Sequence, residues 1–199
     1  MRIIAILILT MLSVAVLAKQ PVAIVIHGGA GTIERSQLSD EKEAAIKADL
    51  NRALEAGYEA LASGKAATDA VIAAIMVLEN SAHFNAGKGA VYTQEQGHEL
   101  DASIMRGSDL QAGAVAGVKY TKNPILAAQA VMTHSPHVML AGDGADAFSK
   151  AHGLEQVENS YFDTEHRLKA WEKVDQATRE KNQTNAALSD VLNQDYKFG

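Results

Sequence analysis

Three stretches of this chain carry residue types and spacings that could do chemistry. The first is His27-Gly28-Gly29-Ala30-Gly31. Glycine tolerates positive φ and close main-chain approach, so such a run can aim backbone N–H donors at a carboxylate or an oxyanion. A tight structural turn is the competing reading, and the motif alone does not separate the two. The second is Glu79-Asn80-Ser81-Ala82-His83-Phe84-Asn85-Ala86-Gly87-Lys88-Gly89, too polar and glycine-rich for helix or strand. An irregular loop of this kind exposes carbonyl oxygens that can ligate a hard cation, though composition alone does not demand one. The third is Asp101, alone between Leu100 and Ala102 on an expected strand. A lone strand aspartate reads as buried and hydrogen-bonded rather than catalytic.

Several common sites are excluded. No Gly-Lys-Ser/Thr follows the glycine run, so it is no P-loop, and its spacing fails the Gly-x-Gly-x-x-Gly dinucleotide pattern. There is no His-Glu-x-x-His, and the seven histidines are scattered apart from His134 and His137, so no zinc site is expected. His134, His137, Asp143 and Asp146 read as structural. The His-Gly-Gly segment is similar to the oxyanion loop of α/β-hydrolases, but no Gly-x-Ser-x-Gly nucleophile elbow exists downstream. The loop fits an oxyanion role, and the chain offers no nucleophile to match it.

The elements that must position these loops can be read in order. Val22 to Ile26 is an apolar, β-branched run, expected as a buried strand delivering the glycine loop. Ser39 is a good N-cap for a helix with Asp40 and Glu41 in its first turn, a stripe of Ile46, Leu50, Leu54, Gly57 and Leu61, and a stop at Gly64. A second helix, Ala67 to Leu78, is apolar all round, capped by Thr68 and Asp69, and expected to be covered on several sides. Short strands follow at Ala90–Thr93, His98–Met105 and Ala112–Val118, with turn signals between them that imply antiparallel pairing. Asn123-Pro124 opens a helix over Ile125–Met132. His137–Ala141 reads as one more buried strand, Gly142–Asp146 as turning into a short helix that contains Ala147, Phe148 and Ala151 and stops at Gly153, and Thr164 to about Lys181 as an amphipathic helix. Residues 182–199 are polar and expected to be mobile.

The 199 residues carry 18 basic and 24 acidic side chains, a net charge of −6, with no Lys/Arg cluster, so nucleic acid is not an expected partner. A small polar substrate fits better. No charge falls between Arg2 and Lys19, and Val16 and Ala18 sit at cleavage spacing, so residues 1–18 read as a secretory signal peptide. The expected protein is exported, periplasmic or secreted, and not held at a membrane once the signal is removed. With no cysteine anywhere, neither disulfides nor a lipidated cysteine can follow export.

His27-Gly28-Gly29-Ala30-Gly31, Phe84-Asn85-Ala86-Gly87-Lys88-Gly89, Glu99 to Met105, Ala112 to Val118, Asn123-Pro124 and Ser135 to Met139 occur in this order. Together they resemble the α-subunit portion of the plant-type L-asparaginases, or isoaspartyl peptidases, which are N-terminal-nucleophile hydrolases. The resemblance spans Pro21 to Gly199. It implies an α+β fold, a four-layer αββα sandwich to which residues 19–181 contribute the α-subunit part. It also implies self-cleavage at a Gly-Thr bond, with Gly199 as the glycine and the following threonine as nucleophile at the head of a β-subunit. An N-terminal threonine supplies its own base through its free α-amine, which explains why no catalytic group is found in this chain.

By the same resemblance, His27, Gly28, Gly29, Ala30 and Gly31 lie beside the active site and Asn85 contacts the nucleophile or its water. A structural sodium would be held by the main-chain oxygens of Leu78, Glu79, Ser81, Phe84, Ala86 and Lys88, and no catalytic cofactor is expected. The expected partners are the β-subunit, an (αβ)₂ assembly and a small-molecule substrate, either L-asparagine or a β-aspartyl dipeptide. Glycosylated asparagine and cyanophycin-derived β-aspartyl-arginine stay open within the class. An inactive remnant or binding module is the alternative from another class.

Overall fold

A computed structural model describes residues 21–29 and 38–195. The expected signal peptide, Ala30, Gly31 and the Gly199 cleavage position lie outside the described residues.

Helix α1, Asp40–Ala62, begins where Ser39 Oγ accepts a hydrogen bond from Lys42 N (3.2 Å), with Asp40, Glu41 and Glu43 in the first turn complementing the helix dipole. Its chain reverses at Gly64, which adopts φ +83°. The fully buried stripe is Asp49, Ala53, Gly57 and Ala60 rather than the larger residues expected. Small residues let helix α2, Ala67–Glu79, approach closely. A methyl group on Gly57 would lie 3.0 Å from the Ala70 carbonyl oxygen and would overlap the Ile24 side chain. Of the two residues expected to cap helix α2, Asp69 does so, its Oδ2 accepting from Ala66 N (3.3 Å), whereas Thr68 lies inside the first turn. It buries Ala70, Ile72, Ala74 and Glu79, while Val71 is exposed, so it is covered on fewer sides than its composition suggested.

Among the described residues the sheet has three strands, lying side by side in chain order. Strand β1 (Leu100–Met105) pairs antiparallel with β2 (Ala112–Val118), which pairs in parallel with β3 (Met139–Ala141). The β1–β2 turn is held by the Arg106 guanidinium gripping the Asp109 carboxylate. Helix α3 (Pro124–His134) makes the crossover between β2 and β3, and helix α4 (Gly142–Ala151) follows β3, ending before Gly153 at φ +75°. Helix α5, Glu165–Asp195, continues beyond the Lys181 end expected for it.

One sheet face packs on the helices. Leu100, Val115 and Val118 meet Ala127, Val131, Ala145 and Phe162 in one cluster, and Ile104 meets Ile72, Ile125, Ala128 and Met132 in a second. The register puts Ser103, Met105, Ala112, Ala114 and Met139 on the opposite face. There Met105 is 59% exposed and Met139 54%.

Three strand expectations need correction. Residues 21–29 contain no ladder-paired strand, and Val25 is 91% exposed. The segment alternates instead, with Ile24 and Ile26 half-buried and Val22 and Val25 turned outward. Residues 90–93 are irregular because their backbone groups are taken elsewhere. Val91 N donates to Asn85 Oδ1 (3.0 Å), Thr93 N to Gly97 O (2.7 Å), and Thr93 O accepts from Trp171 Nε1 (2.9 Å). Finally, the segment expected to be buried at 137–141 yields a three-residue strand at the sheet edge, with Val138 and Met139 exposed.

Candidate active-site loops

The segment 21–29 runs beside the α1–α2 pair and brings the glycine loop to the second loop. A methyl group on Gly28 would meet the Phe84 ring at 3.1 Å and Leu50 at 3.2 Å, so the glycine loop abuts the residue preceding Asn85. Gly29 adopts φ +126°, a conformation open to glycine, and His27 is exposed. The two expected site segments therefore meet at Phe84, which is itself buried.

The 79–89 loop is folded tightly on itself. Gly87, at φ +50°, packs against the backbone of Glu79, 2.8 Å from its carbonyl carbon measured to an added methyl. Gly89 packs against the carbonyls of Phe84 and Ala82 so closely that any side chain would overlap the Phe84 oxygen. These close approaches require glycine at both positions. Asn85 is exposed, and its Oδ1 caps Val91 N, while Arg167 Nε donates to Gly89 O (2.8 Å), tying α5 to the loop.

Two buried carboxylates anchor the first half of the loop. Glu79 accepts from Asn123 Nδ2 (2.9 Å) and from Ile125 N (2.9 Å), joining the end of α2 to the start of α3. Burial pushes its carboxyl up to about 7, against the opposing effect of those two hydrogen bonds. At the other anchor, Asp49 Oδ2 receives the Ser81 hydroxyl and faces His83 Nδ1 (2.8 Å), while Arg52 pairs with Oδ1. Burial raises the Asp49 carboxyl, but hydrogen bonds from Ser81 and His83 and the Arg52 charge outweigh it, so the group sits below its ordinary value.

Ser81, His83 and Asp49 have the composition of a hydrolytic triad but not its geometry. In a triad one imidazole nitrogen takes the serine proton while the other binds the acid. Here the serine proton goes to the aspartate, and the same nitrogen, Nδ1, faces both partners. The trio locks α1 to the loop.

Asp101 is exposed rather than buried: it follows Leu100 at a bulge where β2 has one extra residue, and its Oδ1 accepts from Gly117 N (2.8 Å), with Gly117 at φ +64°. Asp146 is structural as expected, its carboxylate gathering Lys119 N (2.7 Å), Tyr120 N, Thr121 N and Thr121 Oγ1 (2.9 Å). Sequence reasoning missed His98, whose ring is fully buried with Nδ1 at Val91 O (3.1 Å) and Nε2 at Asp163 Oδ1 (3.0 Å). Tyr92 stacks on it, its hydroxyl pushed up to about 12 by burial and by Asp163. Among the described residues, no three His, Asp or Glu side chains gather into a metal cluster.

The fold and site define an α+β layer: helices cover one face of a small sheet, and two glycine-rich loops converge beside the α1–α2 pair. The chain belongs to the asparaginase family, whose model matches residues 19–199. It is 48% identical to the isoaspartyl peptidase of Escherichia coli (strain K12) over 141 residues, 71% of this chain and 44% of that protein. It is 43% identical to the plant-type L-asparaginase of Thermococcus kodakarensis over 162 residues, 81% of this chain and 50% of that protein. The isoaspartyl peptidase/L-asparaginase of Xenopus laevis is 41% identical over 150 residues, 75% of this chain and 47% of that protein. The chain thus spans about half the length of the curated relatives it matches.

Proposed function

We propose that this chain is the α-part of an autoprocessed amidohydrolase that cleaves L-asparagine and β-aspartyl dipeptides. The observation that carries the reading is the meeting of the glycine loop with Phe84-Asn85, in a chain whose sheet has one face left exposed by the described residues. Family membership and the activities for which the relatives are named support it. In this reading the bare face, with Met105 and Met139, packs on a second sheet from a β-subunit and completes a four-layer αββα sandwich. The extended segment 22–26 gains its strand partner in the same way. Cleavage after Gly199 frees a threonine whose hydroxyl attacks the side-chain acyl carbon of the substrate. The threonine α-amine takes the hydroxyl proton and passes it to the leaving amine or ammonia, and water then hydrolyses the acyl-enzyme.

In this mechanism the chain's own residues position rather than react. His27, Gly28, Gly29, Ala30 and Gly31 flank the nucleophile and aim backbone N–H groups toward it, and Asn85 holds the nucleophile or its water. The 79–89 loop suits a sodium ion held by main-chain oxygens of Leu78, Glu79, Ser81, Phe84, Ala86 and Lys88. Its glycines pack where a Cβ would strike the carbonyl oxygens of Glu79 and Phe84, two of the six. The ion would hold the loop's shape and take no part in the reaction. The working protein is an exported (αβ)₂ assembly. The test is aspartate release from β-aspartyl-leucine by protein made from the native coding region: release is expected, and its absence in a processed protein would refute the substrate class.

A further inference from the structure

The groove between α3 and α4, about 530 Å³, is lined by Leu126, Gln129 and Leu154 together with Thr133, His134 and His152. None of these carries a fixed charge that would repel a cation. His134 is the last residue of α3 and His152 follows the last turn of α4, and their ring centroids lie 5.4 Å apart at an interplanar angle of 45°.

Hydrogen-bond valence assigns the tautomer of the His152 ring and allows the same one for His134. When Thr133 Oγ1 donates its single proton to Gln129 O (2.9 Å), it accepts from His134 Nδ1 (2.7 Å), and in that arrangement Nδ1 carries the hydrogen. His152 Nδ1 lies 2.9 Å from Phe148 O, and a carbonyl can only accept, so there too Nδ1 carries the hydrogen. In this pair of tautomers Nε2 of each imidazole keeps its lone pair. An Nδ1–H bonded to an oxygen is the outer-shell arrangement that orients a ligating histidine and raises its basicity.

We propose that His134 and His152 form a two-imidazole site for a borderline transition-metal dication such as Zn²⁺, with water completing the coordination. Two imidazoles bound at about 2.1 Å with a tetrahedral angle place their ring centroids about 5 Å apart, which matches the observed spacing. The sequence gives no sign of this site, because its only closely spaced histidines, His134 and His137, suggest a different pair. Bound metal would link the end of α3 to the end of α4 and bind the folded state alone, so it would raise the unfolding temperature.

The test uses protein from the native coding region, titrated with Zn²⁺ and, separately, with Cu²⁺. The proposal expects one Zn²⁺ whose affinity falls about tenfold or more in His134→Gln and in His152→Gln, and by about tenfold in Thr133→Val, which keeps both ligands but frees the His134 ring. His137→Gln leaves it unchanged. Spectra of the Cu²⁺-loaded wild-type protein show two coordinated nitrogens, a readout that does not depend on any variant folding. A Zn²⁺ affinity and Zn²⁺-linked thermal shift unaltered when His134→Gln and His152→Gln are combined, or a copper spectrum with one nitrogen or none, would overturn the assignment.

Discussion

Replacing Gly89 with alanine tests how tightly the Phe84-Asn85 loop is specified. The added methyl would overlap the Phe84 carbonyl oxygen and lie 3.0 Å from the Ala82 oxygen, whereas unstrained heavy-atom contacts lie at about 3.5 Å or more. Both obstacles are backbone, so no side chain can rotate away, and the loop must shift by about 1 Å. Overpacking of this kind costs about 1–3 kcal/mol. Asn85 follows Phe84 directly, and a misplacement of about 1 Å can cost about 100-fold in rate. Gly89→Ala should therefore lower stability by about 2 kcal/mol and reduce kcat/KM for β-aspartyl-leucine by about two orders of magnitude. Gly107 is the matched control, since nothing lies within 4 Å of its added methyl. Denaturation followed by the fluorescence of Trp171, the one tryptophan, gives the first quantity, and aspartate release gives the second. If Gly89→Ala matches Gly107→Ala in both, the loop is not held as described.

Asp146→Asn replaces one of two accepting oxygens with an amide and should cost about 2 kcal/mol. Asp146→Ala, which strands the Lys119 and Thr121 donors, should cost about 3 kcal/mol or more, both read by urea denaturation. Asp49 is held below its ordinary value of 3.8, so its ionised form stabilises the fold above that pH and the contribution is lost as pH falls through the lower folded value. Denaturation across pH should show Asp49→Asn less stable than wild type near pH 7, with the gap closing below pH 3.8. On the uncovered sheet face, Met139→Asp should change the stability of the α-part by about 0.5 kcal/mol or less, yet impair β-subunit association, visible as a loss of the co-eluting β-chain.

What the sequence made legible was local. Ser39, Pro124, Gly64 and Gly153 mark helix starts and stops through properties of single residues, and each sits where expected. The β1–β2 pairing followed from its turn. Partnerships across long separations were invisible: Asp49 with His83, His98 with Asp163, and His134 with His152 share no spacing rule. Apolar composition also misled where burial depends on a neighbour. Val25 and Val138 have the residue type of a core strand, yet both are exposed, because no described strand lies against the first and the second precedes an edge strand.

The most direct test of the central claim, that the nucleophile heads a second chain made by self-cleavage, is the intact mass and N-terminal sequence of protein from the native coding region. The account predicts two fragments, one ending at Gly199 and the other beginning with threonine. A single uncut chain, or a second fragment beginning with any other residue, would contradict it.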